Sequence, residues 1–371
     1  MENKLYDCII VGGGLAGLSL SILMAQKKFS VLLIEKKTYP YHKVCGEYIS
    51  MESWDFLERI GIPLRAMNLP RISKFEMTDI RGQRIHEHLE MGGFGISRYT
   101  LDHQLAEKAI EIGVTLMQQT ICTGYEYSNE IYTIKTNRGE FKGKLLSASY
   151  GRHSFGNFYK PKKNNENWVG VKYHIKTDFP SDKIELHTFN QGYCGISKVD
   201  KGSYCICYIV NAKLLNQYDN ELDALEKNEL FKNPNLKKIF TEAQFLFEKP
   251  LTISNITFKP KTPLHQHIFY IGDSAGSIAP LTGNGMSNAM HSACILFNCF
   301  QDYLEQNINR NQLEFQYSLR WNKAFKERIW KGRIIQHFFC KPIWTSISIA
   351  ILKQSPWLRK IIIKQTHGES F

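Results

Sequence analysis

Apolar runs near the N-terminus predict a strand, a helix and a second strand in close succession. Residues 5–11 form a short apolar run that ends at glycines, and residues 15–25 are apolar at helical spacing. Residues 31–34 form a second apolar run, which is closed by Glu35. A strand, a glycine turn, a helix and a strand in this order are typical of a parallel crossover unit, so we expect a parallel sheet.

A different pattern follows in the middle of the chain, where short segments alternate between apolar and polar residues. These segments predict the strands of an antiparallel sheet, at residues 170–175, 184–189, 193–199 and 204–210. In the last of them Cys205 and Cys207 share one face by the two-residue period, so we interpret them as sheet packing and not as a redox pair.

Helical and parallel-strand patterns flank this middle region. Residues 100–113 are apolar at helical spacing and end at Gly113, a residue suited to a helix C-terminus. Residues 267–271 form another apolar strand, and a helix follows from about Gly285. We therefore expect a first domain that is discontinuous, with the antiparallel region inserted into it.

The C-terminal part is mostly helical in pattern and strongly basic. Pro342 and Pro356 interrupt the helical pattern. The 371 residues carry a net charge of +12, and residues 320–371 hold eleven Lys or Arg against two acids, which is +9 of that total. Such a tail suits the phosphates of a membrane surface or of nucleic acid, or is simply solvated.

The overall composition is that of an ordinary globular protein, with 43% hydrophobic and 22% charged residues. At roughly 100–200 residues per domain, two domains are the natural expectation. Nine cysteines are scattered without a CxxC pair or zinc-ligand spacing, so neither a disulfide framework nor a metal is indicated. The sequence has no signal-peptide pattern and no apolar run near the ~18 residues that span a bilayer, so we expect a cytoplasmic protein.

The strongest chemical signal is the glycine turn at residues 12–17, which matches G-x-G-x-x-G between a strand and a helix. Gly12 permits the tight turn, Gly14 lets the backbone approach a pyrophosphate, and Gly17 lets the helix pack on the strand. Glu35 lies 21 residues after Gly14, at the end of the next strand, where an acid accepts hydrogen bonds from a ribose hydroxyl. We predict a dinucleotide site.

A second glycine-rich turn lies far along the chain. Residues 271–276 end a strand, and residues 280–286 open a helix, so N–H groups are again presented to a ligand. A single nucleotide does not require two such turns, whereas a long dinucleotide with a second ring system uses both. A helix entry that binds no ligand is the alternative interpretation.

Three groups of residues resemble the FAD-dependent oxidoreductases related to para-hydroxybenzoate hydroxylase. They are residues 12–17 with Glu35, Arg98 with Asp102, and Gly272-Asp273 with residues 280–285. The stretch HKVCGEYIS at 42–50 resembles more narrowly the geranylgeranyl reductase branch. The resemblance covers about half the chain, and it implies FAD as the cofactor.

We therefore predict an α/β fold with a Rossmann-type FAD-binding domain, an inserted antiparallel-sheet substrate domain and a helical C-terminal region. The predicted bounds are 1–75, 98–160 and 260–300 for the FAD-binding domain. The substrate domain takes 76–97 and 161–259, and the helical region takes 301–371.

The resemblance also implies roles for particular residues. Asp273 would hydrogen-bond the ribityl chain, Arg98 would lie near the phosphates or the ribityl, and the turn at 280–285 would place N–H groups beside the isoalloxazine, where reduced flavin is anionic. The full set expected to bind the cofactor is Gly12, Gly14, Leu15, Ala16, Gly17, Glu35, Lys36, Arg98, Gly272, Asp273, Pro280, Gly283, Asn284, Gly285 and Met286.

Two departures from family patterns bear on the reaction. The family's middle motif, usually Asp-Gly-x-x-Ser, reads Tyr150-Gly151-Arg152-His153-Ser154, so a tyrosine replaces the acid. In hydroxylases of the family this segment is linked to flavin and nicotinamide binding, so its change weakens the hydroxylase interpretation. A halogenase is expected to carry Trp-x-Trp-x-Ile-Pro, and residues 192–197 contain neither tryptophan nor proline.

Cys45 and Glu47 are the candidate catalytic residues, because they follow the second strand where the chain should pass over the flavin ring. Reduction of a C=C bond takes a hydride from flavin N5 and a proton from an acid whose pKa an apolar pocket can raise. We favour Cys45 over Glu47. The alternative is that Cys45 is a packing residue and that Glu47 pairs with a nearby Lys or His.

Apolar stretches at 344–352 and 357–363 begin with tryptophan and are interspersed with basic residues. They suit contact with a membrane interface, or helices that cap an apolar pocket. Both interpretations favour a hydrophobic substrate such as an isoprenoid, polyketide or fatty-acyl chain.

We predict an enzyme that reduces or dehydrogenates a hydrophobic substrate by hydride transfer at flavin N5. A flavin monooxygenase is the main alternative, and a halogenase or a flavoprotein that only carries lipid or electrons is less favoured. Nucleic acid is not expected as a partner, because the basic residues lie among apolar ones. The residues do not identify the electron donor.

Overall fold

The computed structural model describes residues 4–152, 158, 167–258, 261–279, 281, 283–366 and 370–371. Within these residues it contains ten α-helices and seventeen strands, which form two sheets. All nine cysteines are free thiols.

The first sheet is built on parallel strands, as the apolar runs predict. Its order is β16-β17-β9-β1-β2-β6, and the hairpin β7-β8 extends it through β9. The strands are β1 (Leu5–Val11), β2 (Val31–Ile34), β6 (Thr115–Met117), β7 (Cys122–Ser128), β8 (Ile131–Thr136), β9 (Gly139–Ala148), β16 (Leu264–His265) and β17 (Ile268–Tyr270). Strand β17 pairs in parallel with β9, so the chain returns to this sheet after a long excursion.

Three helices pack around the first sheet: α1 (Leu15–Gln26), α3 (Arg98–Glu111) and α7 (Gly285–Leu304). Helix α1 is apolar on all sides and buried from Leu15 to Ala25, because it lies in contact with both α3 and α7. The predicted crossover unit is confirmed, since β1 and β2 pair in parallel with Cys8 opposite Val31.

The second sheet is mainly antiparallel and contains the four strands expected in the middle of the chain. Its order is β14-β10-β13-β12-β11-β4-β5-β3, and β15 also pairs with β10. The strands are β3 (Tyr48–Ser50), β4 (Arg71–Thr78), β5 (Arg84–Gly95), β10 (Trp168–Lys176), β11 (Lys183–Phe189), β12 (Gly192–Lys198), β13 (Tyr204–Asn211), β14 (Gln244–Phe245) and β15 (Leu251–Ile256).

The second sheet also takes strands from the N-terminal part of the chain. The boundary predicted between residues 75 and 76 falls inside β4, and β3 lies far before it. Strand β4 pairs with β5 through an irregular register near Ile72, and with β11 in parallel. Such pairing of strands that mix polar and apolar residues leaves little trace in the apolar pattern.

The remaining helices are α2 (Trp54–Arg59), α4 (Ala212–Asn216), α5 (Leu222–Asn228), α6 (Pro234–Glu242), α8 (Arg310–Phe339), α9 (Pro342–Gln354) and α10 (Pro356–Thr366). The helical C-terminal region is therefore confirmed, and both predicted breaks are helix starts. Pro342 and Pro356 occupy first helical positions, where the missing N–H costs no hydrogen bond. Across the described helices, none combines the length and apolar character needed to cross a bilayer.

Candidate functional site

The first glycine turn contains glycines of two kinds. Gly12 has φ +109°, and an added Cβ there would lie 2.5 Å from the carbonyl oxygen of Ser149. At Gly17 an added Cβ would lie 2.1 Å from the carbonyl oxygen of Gly12, so both positions require glycine for packing. At Gly14 the nearest atom would be 4.0 Å away, which leaves this side of the turn open where α1 begins at Leu15.

Glu35 lies directly against this turn, as the spacing predicts. One carboxylate oxygen accepts a hydrogen bond of 2.8 Å from the Gly13 N–H, and the other accepts one of 3.0 Å from the Lys37 N–H. The Tyr39 hydroxyl donates to the Gly13 carbonyl oxygen. The side chain of the next residue, Lys36, is exposed. The ribose contact of Glu35 and any cofactor contact of Lys36 stay predictions.

Arg98 lies in a buried group of charges next to the same turn. Its guanidinium donates two hydrogen bonds, of 2.7 and 2.8 Å, to the carboxylate of Asp102. The Lys43 ammonium lies 2.8 Å from that carboxylate and 3.4 Å from the carbonyl oxygen of Gly13. Burial alone would raise the pKa of Asp102, but the charges of Arg98 and Lys43 outweigh it and lower the pKa.

The second glycine turn begins where two helices approach each other. Gly272 has φ +59°, and an added Cβ would lie 3.2 Å from Ala16 of α1 and 3.6 Å from Ala289 of α7. The neighbouring Asp273 accepts a hydrogen bond of 2.8 Å from Nε of Arg152, a residue of the altered middle motif. The structure therefore brings the middle motif and the second turn together.

The end of the second turn contains a buried amide. Asn284 is fully buried, and neither its amide nitrogen nor its amide oxygen has a hydrogen-bond partner in the part of the chain that the structure describes. Leaving such a group unpaired costs about 1–3 kcal/mol, so a ligand that supplies the missing partners fits this position. Gly285 and Met286 open α7 beside it. Pro280, also expected at this turn, lies outside the described residues.

Cys45 lies between the two sheets. Its Sγ is 3.5 Å from Sδ of Met286 at the start of α7, and its carbonyl oxygen accepts a hydrogen bond of 3.3 Å from Sγ of Cys205 on β13. Val44 packs on Gly170 of β10, where an added Cβ would lie 3.1 Å away. The half-buried thiol therefore stands where the second glycine turn meets the second sheet.

Glu47 is completely buried in an ion-pair network. Its carboxylate pairs with the Lys172 ammonium and lies 2.6 Å from Nε2 of His174, and it accepts a hydrogen bond of 2.7 Å from the Arg98 N–H. Lys172 also donates to the carbonyl oxygen of Lys43, at 3.2 Å. Glu47 has φ +57°, a conformation that non-glycine residues rarely adopt, so these contacts hold a strained backbone in place.

The role of a proton donor requires a raised pKa, but in the structure the pKa of Glu47 is lowered. Burial alone would raise its pKa, as the apolar-pocket hypothesis requires, but the hydrogen bond from His174 and the charge of Lys172 outweigh burial and lower it. In turn, burial alone would lower the pKa of Lys172, but its neighbours, Glu47 among them, raise it. Glu47 is therefore a carboxylate paired with Lys172 and His174, in agreement with the alternative interpretation that it pairs with a nearby Lys or His.

His42 completes this network on its aromatic side. Its ring lies 4.7 Å from that of Tyr99 and 4.9 Å from that of Phe247, centroid to centroid. Burial, followed by the charge of Lys172, lowers the pKa of His42 to about 4. Nδ1 of His42 is buried and has no hydrogen-bond partner among the described residues.

Ligand atoms of His42, Glu47 and His174 all lie within 4.8 Å of one another, a spacing that a metal ion would accept. The Lys172 ammonium already pairs with the Glu47 carboxylate, however, and it would repel a cation at this point. We therefore describe the group as an ion-pair network.

The altered middle motif is an aromatic contact in this structure. The Tyr150 ring packs edge-on against Phe158 and Tyr270, with centroids 5.5 and 6.2 Å apart. Burial raises the pKa of the Tyr150 hydroxyl. His153 and Ser154, the rest of the motif, lie outside the described residues.

The expectations from the sequence did not include Lys43, Lys172 or His174. For the last two a signal was present, because they alternate with Val171 and Tyr173 along β10 and so share the face opposite to an apolar one. Two basic residues on one face of a buried strand indicate an acidic partner. The sequence could not say which acid, since Glu47 lies 125 residues from Lys172.

Comparison with known proteins gives a family match for the first part of the chain. Residues 6–137 match the family model described as an FAD binding domain. A kynurenine 3-monooxygenase of Dictyostelium discoideum is 26% identical over 340 residues, covering 79% of this chain and 69% of the relative. A digeranylgeranylglycerophospholipid reductase of Methanococcus vannielii is 24% identical over 351 residues, covering 86% and 82%.

Among solved structures, a flavin-dependent brominase superposes with a TM-score of 0.78. The superposition covers 98% of this chain and 93% of the brominase at 18% sequence identity, so it shows a shared fold. The match extends beyond the first domain to the second sheet and the C-terminal helices.

FAD is the cofactor that these comparisons support, and the residues present fit it. The open side of Gly14 and the start of α1 would hold the pyrophosphate, with Lys43 at the same turn. The unpaired amide of Asn284 at the start of α7 would face the ring system.

Proposed function

Since the chain belongs to the FAD-dependent oxidoreductases of the para-hydroxybenzoate hydroxylase-like superfamily, we propose that it reduces or dehydrogenates a hydrophobic, lipid-like substrate. The observation that carries this proposal is the position of the Cys45 thiol, 3.5 Å from Met286 at the start of α7. An acid at this junction is suited to add a proton to a carbon beside the cofactor.

Apolar side chains next to the second glycine turn support a hydrophobic substrate. Leu281 of that turn packs against a buried cluster on the second sheet and the end of α8, formed by Tyr193, Ile209, Ile256, Phe258 and Cys340. A substrate that reaches Cys45 between the turn and this sheet would therefore meet mostly carbon surface.

Reduced FAD, when bound, supplies a hydride to one carbon of a double bond. The other carbon then needs a proton, which we assign to the Cys45 thiol. Glu47 is unsuited to this role because it is held as a carboxylate by Lys172 and His174. We assign Glu47, Lys172 and His174 as positioning residues, which fix the segment that carries Cys45.

Single-turnover reduction with a polyprenyl probe tests this proposal. Chemically reduced, anaerobic enzyme is mixed with a digeranylgeranylglycerophospholipid, and flavin reoxidation is followed by absorbance. We expect Cys45→Ala to slow reoxidation about 10²–10⁴-fold, as loss of a general acid does, with FAD content unchanged. Cys294→Ala, at another half-buried cysteine, is the matched control.

An unchanged rate in Cys45→Ala would remove Cys45 from the mechanism. If reduced wild-type enzyme were not reoxidised by any isoprenoid or polyketide acceptor, reduction of such substrates would be refuted, and a role in carrying lipid or electrons would be favoured.

A monooxygenase is the second candidate, and the similarity to a kynurenine 3-monooxygenase favours it. Against it stands Tyr150, which packs with Phe158 where hydroxylases of the superfamily carry an acid. Oxygen uptake coupled to NAD(P)H consumption and a hydroxylated product would establish this alternative. A halogenase is less favoured, since β12 lacks the tryptophans and the proline of the halogenase motif.

A further inference from the structure

The C-terminal helices expose a set of large apolar side chains. On α8 these are Trp330, Ile334 and Phe338, and the set continues through α9 to α10 with Ile343, Trp344, Ile347, Ile351 and Trp357. Their exposed fractions run from 38% at Ile334 to 75% at Ile343. We call these eight residues the C-terminal apolar face.

The spacing places these residues on one side of each helix. Trp330, Ile334 and Phe338 follow one another at four-residue intervals on α8. Ile343, Ile347 and Ile351 do the same on α9. The rings of Phe338 and Trp344 lie 5.9 Å apart, so the two helical stripes meet.

The opposite side of α9 is fixed to the second sheet. Ile349 and Leu352 are buried in a cluster with Met77, Ile85 and Leu186. Polar contacts reinforce this packing: the Ser346 hydroxyl donates to Asp79 at 2.8 Å, and the Arg359 guanidinium donates to Glu87 at 2.8 Å. The inner side therefore already holds α9 on the sheet, and the exposed side is available for a partner.

Charge indicates what that partner is. Residues 326–366 contain nine Lys or Arg and one acid, Glu327, which pairs with Lys331 at 2.8 Å. Lys360 is exposed one helical turn after Trp357, and Lys326 is exposed one helical turn before Trp330. We propose that the C-terminal apolar face docks on the surface of an anionic lipid bilayer, with its tryptophans and isoleucines at the headgroup boundary and its lysines among the phosphates.

Two other occupants fit the face less well. A second copy related by two-fold symmetry would bring a second set of basic residues against these, and the one acid that residues 326–366 contribute per copy, Glu327, already pairs with Lys331. A nucleic acid would match the charge, but it would leave Trp357 and Ile343, both more than 70% exposed, without an apolar partner. An anionic bilayer surface offers phosphates to the lysines and an apolar layer to the exposed tryptophans and isoleucines.

Vesicle flotation tests this proposal with the full-length, FAD-loaded protein. Vesicles of phosphatidylcholine are compared with vesicles in which a third of the lipid is phosphatidylglycerol. We expect the protein to float with the anionic vesicles and to be released as salt is raised, because charge attraction within a Debye length is screened. Turnover is not needed, so the result is independent of the proposed reaction.

Substitutions of basic and apolar residues test whether the C-terminal apolar face is the surface that binds vesicles. Lys326→Gln with Lys360→Gln should weaken binding to anionic vesicles about 25-fold, at about fivefold per basic residue. Ile343→Ser with Trp357→Ser should weaken binding to a comparable degree and also abolish any binding at high salt. Ile110→Ser with Ile121→Ser removes two apolar side chains on the first domain that are 53% and 54% exposed, and this control should bind as wild type does.

Three results would overturn the proposal. The first is equal binding to neutral and anionic vesicles, or no binding to either. The second is unchanged vesicle binding in both C-terminal variants while the control weakens. The third is a dimer in sedimentation velocity, or salt-dependent RNA binding, that the C-terminal variants abolish while vesicle binding is absent; this would assign the face to that partner instead.

Discussion

Asp102 and Glu47 are two buried carboxylates that both contact Arg98, one through its side chain and the other through its backbone N–H. Asp102 pairs with Arg98 from one helical turn earlier and with Lys43, beside the first glycine turn. Glu47 pairs with Lys172 and His174, which the second sheet supplies. The first group lies at the first glycine turn, and the second lies at the second sheet.

The difference lies in how each charge is compensated. Asp102 has a bidentate guanidinium and an ammonium, so losing one cation still leaves a paired carboxylate. Glu47 depends on one permanently charged partner, Lys172, and on His174. We infer that the group at the glycine turn tolerates the loss of one cation, whereas the group at the second sheet depends on Lys172.

Removing Lys172 should have the largest effect. In Lys172→Met the buried Glu47 carboxylate loses its permanent counter-charge, and breaking such a pair costs about 3–5 kcal/mol. The free energy of unfolding, from urea titration followed by tryptophan fluorescence, should fall by about this amount. The double variant Glu47→Leu, Lys172→Met removes both charges and should recover most of the loss. A loss below about 1 kcal/mol in the single variant would contradict the assigned network.

A substitution at the first glycine turn should act on FAD binding and not on folding. The side of Gly14 is open in the protein alone, so Gly14→Ala should leave the unfolding free energy of the FAD-free form nearly unchanged. The added methyl would crowd the pyrophosphate and lower FAD affinity about 10- to 100-fold, equivalent to about 1–3 kcal/mol of overpacking. Affinity is measured by flavin fluorescence quenching.

Gly17→Ala is the contrasting control, because its Cβ would collide with the Gly12 carbonyl oxygen at 2.1 Å and so destabilise the protein even without FAD. If Gly14→Ala bound FAD as wild type does, the pyrophosphate would have to be placed elsewhere.

Replacing Lys43 tests whether Asp102 depends less on a single cation than Glu47 does. Asp102 keeps the bidentate Arg98 pair in Lys43→Met, so we expect a loss of only about 1 kcal/mol in unfolding free energy. Since the ammonium lies 3.4 Å from the Gly13 carbonyl oxygen, FAD affinity should also fall, by about tenfold. Isothermal titration with FAD and urea unfolding give the two quantities. A loss equal to that of Lys172→Met would show that the two groups are equally dependent on one cation.

The smallest expected effect is on pH dependence. Because the pKa of His42 falls from its ordinary value of 6.5 to about 4 in the folded protein, the unfolded chain binds a proton between these values that the folded chain does not. The stability linked to His42 is complete above pH 6.5 and is lost as pH falls toward 4. We expect His42→Gln to reduce the difference in unfolding free energy between pH 7 and pH 5.

Phe247→Leu is the control for this measurement, since it alters packing against the His42 ring without removing a titrating group. It should lower stability equally at both pH values. An unchanged pH difference in His42→Gln would show that His42 does not titrate in this window.

Much of the fold could be predicted from local pattern. Residues 5–34 form the predicted strand, helix and strand, because apolar period and glycine placement act over a few residues. The second sheet was predicted only in part. Strand β4 begins at Arg71, and its partners β5 and β11 are joined by pairings that the apolar pattern does not mark.

The sequence alone predicted a dinucleotide turn, because Gly12 and Gly17 are required by local backbone geometry, and its resemblance to a family pattern indicated FAD. The charge state of the Glu47 carboxylate, by contrast, could be known only from the tertiary structure. Its partners Lys172 and His174 come from a strand more than 120 residues away, and the balance between burial and their charges exists only once β10 packs against the segment that precedes β3. Neighbouring residues determine local backbone geometry, whereas the pKa of a buried acid depends on every charge that folding places near it.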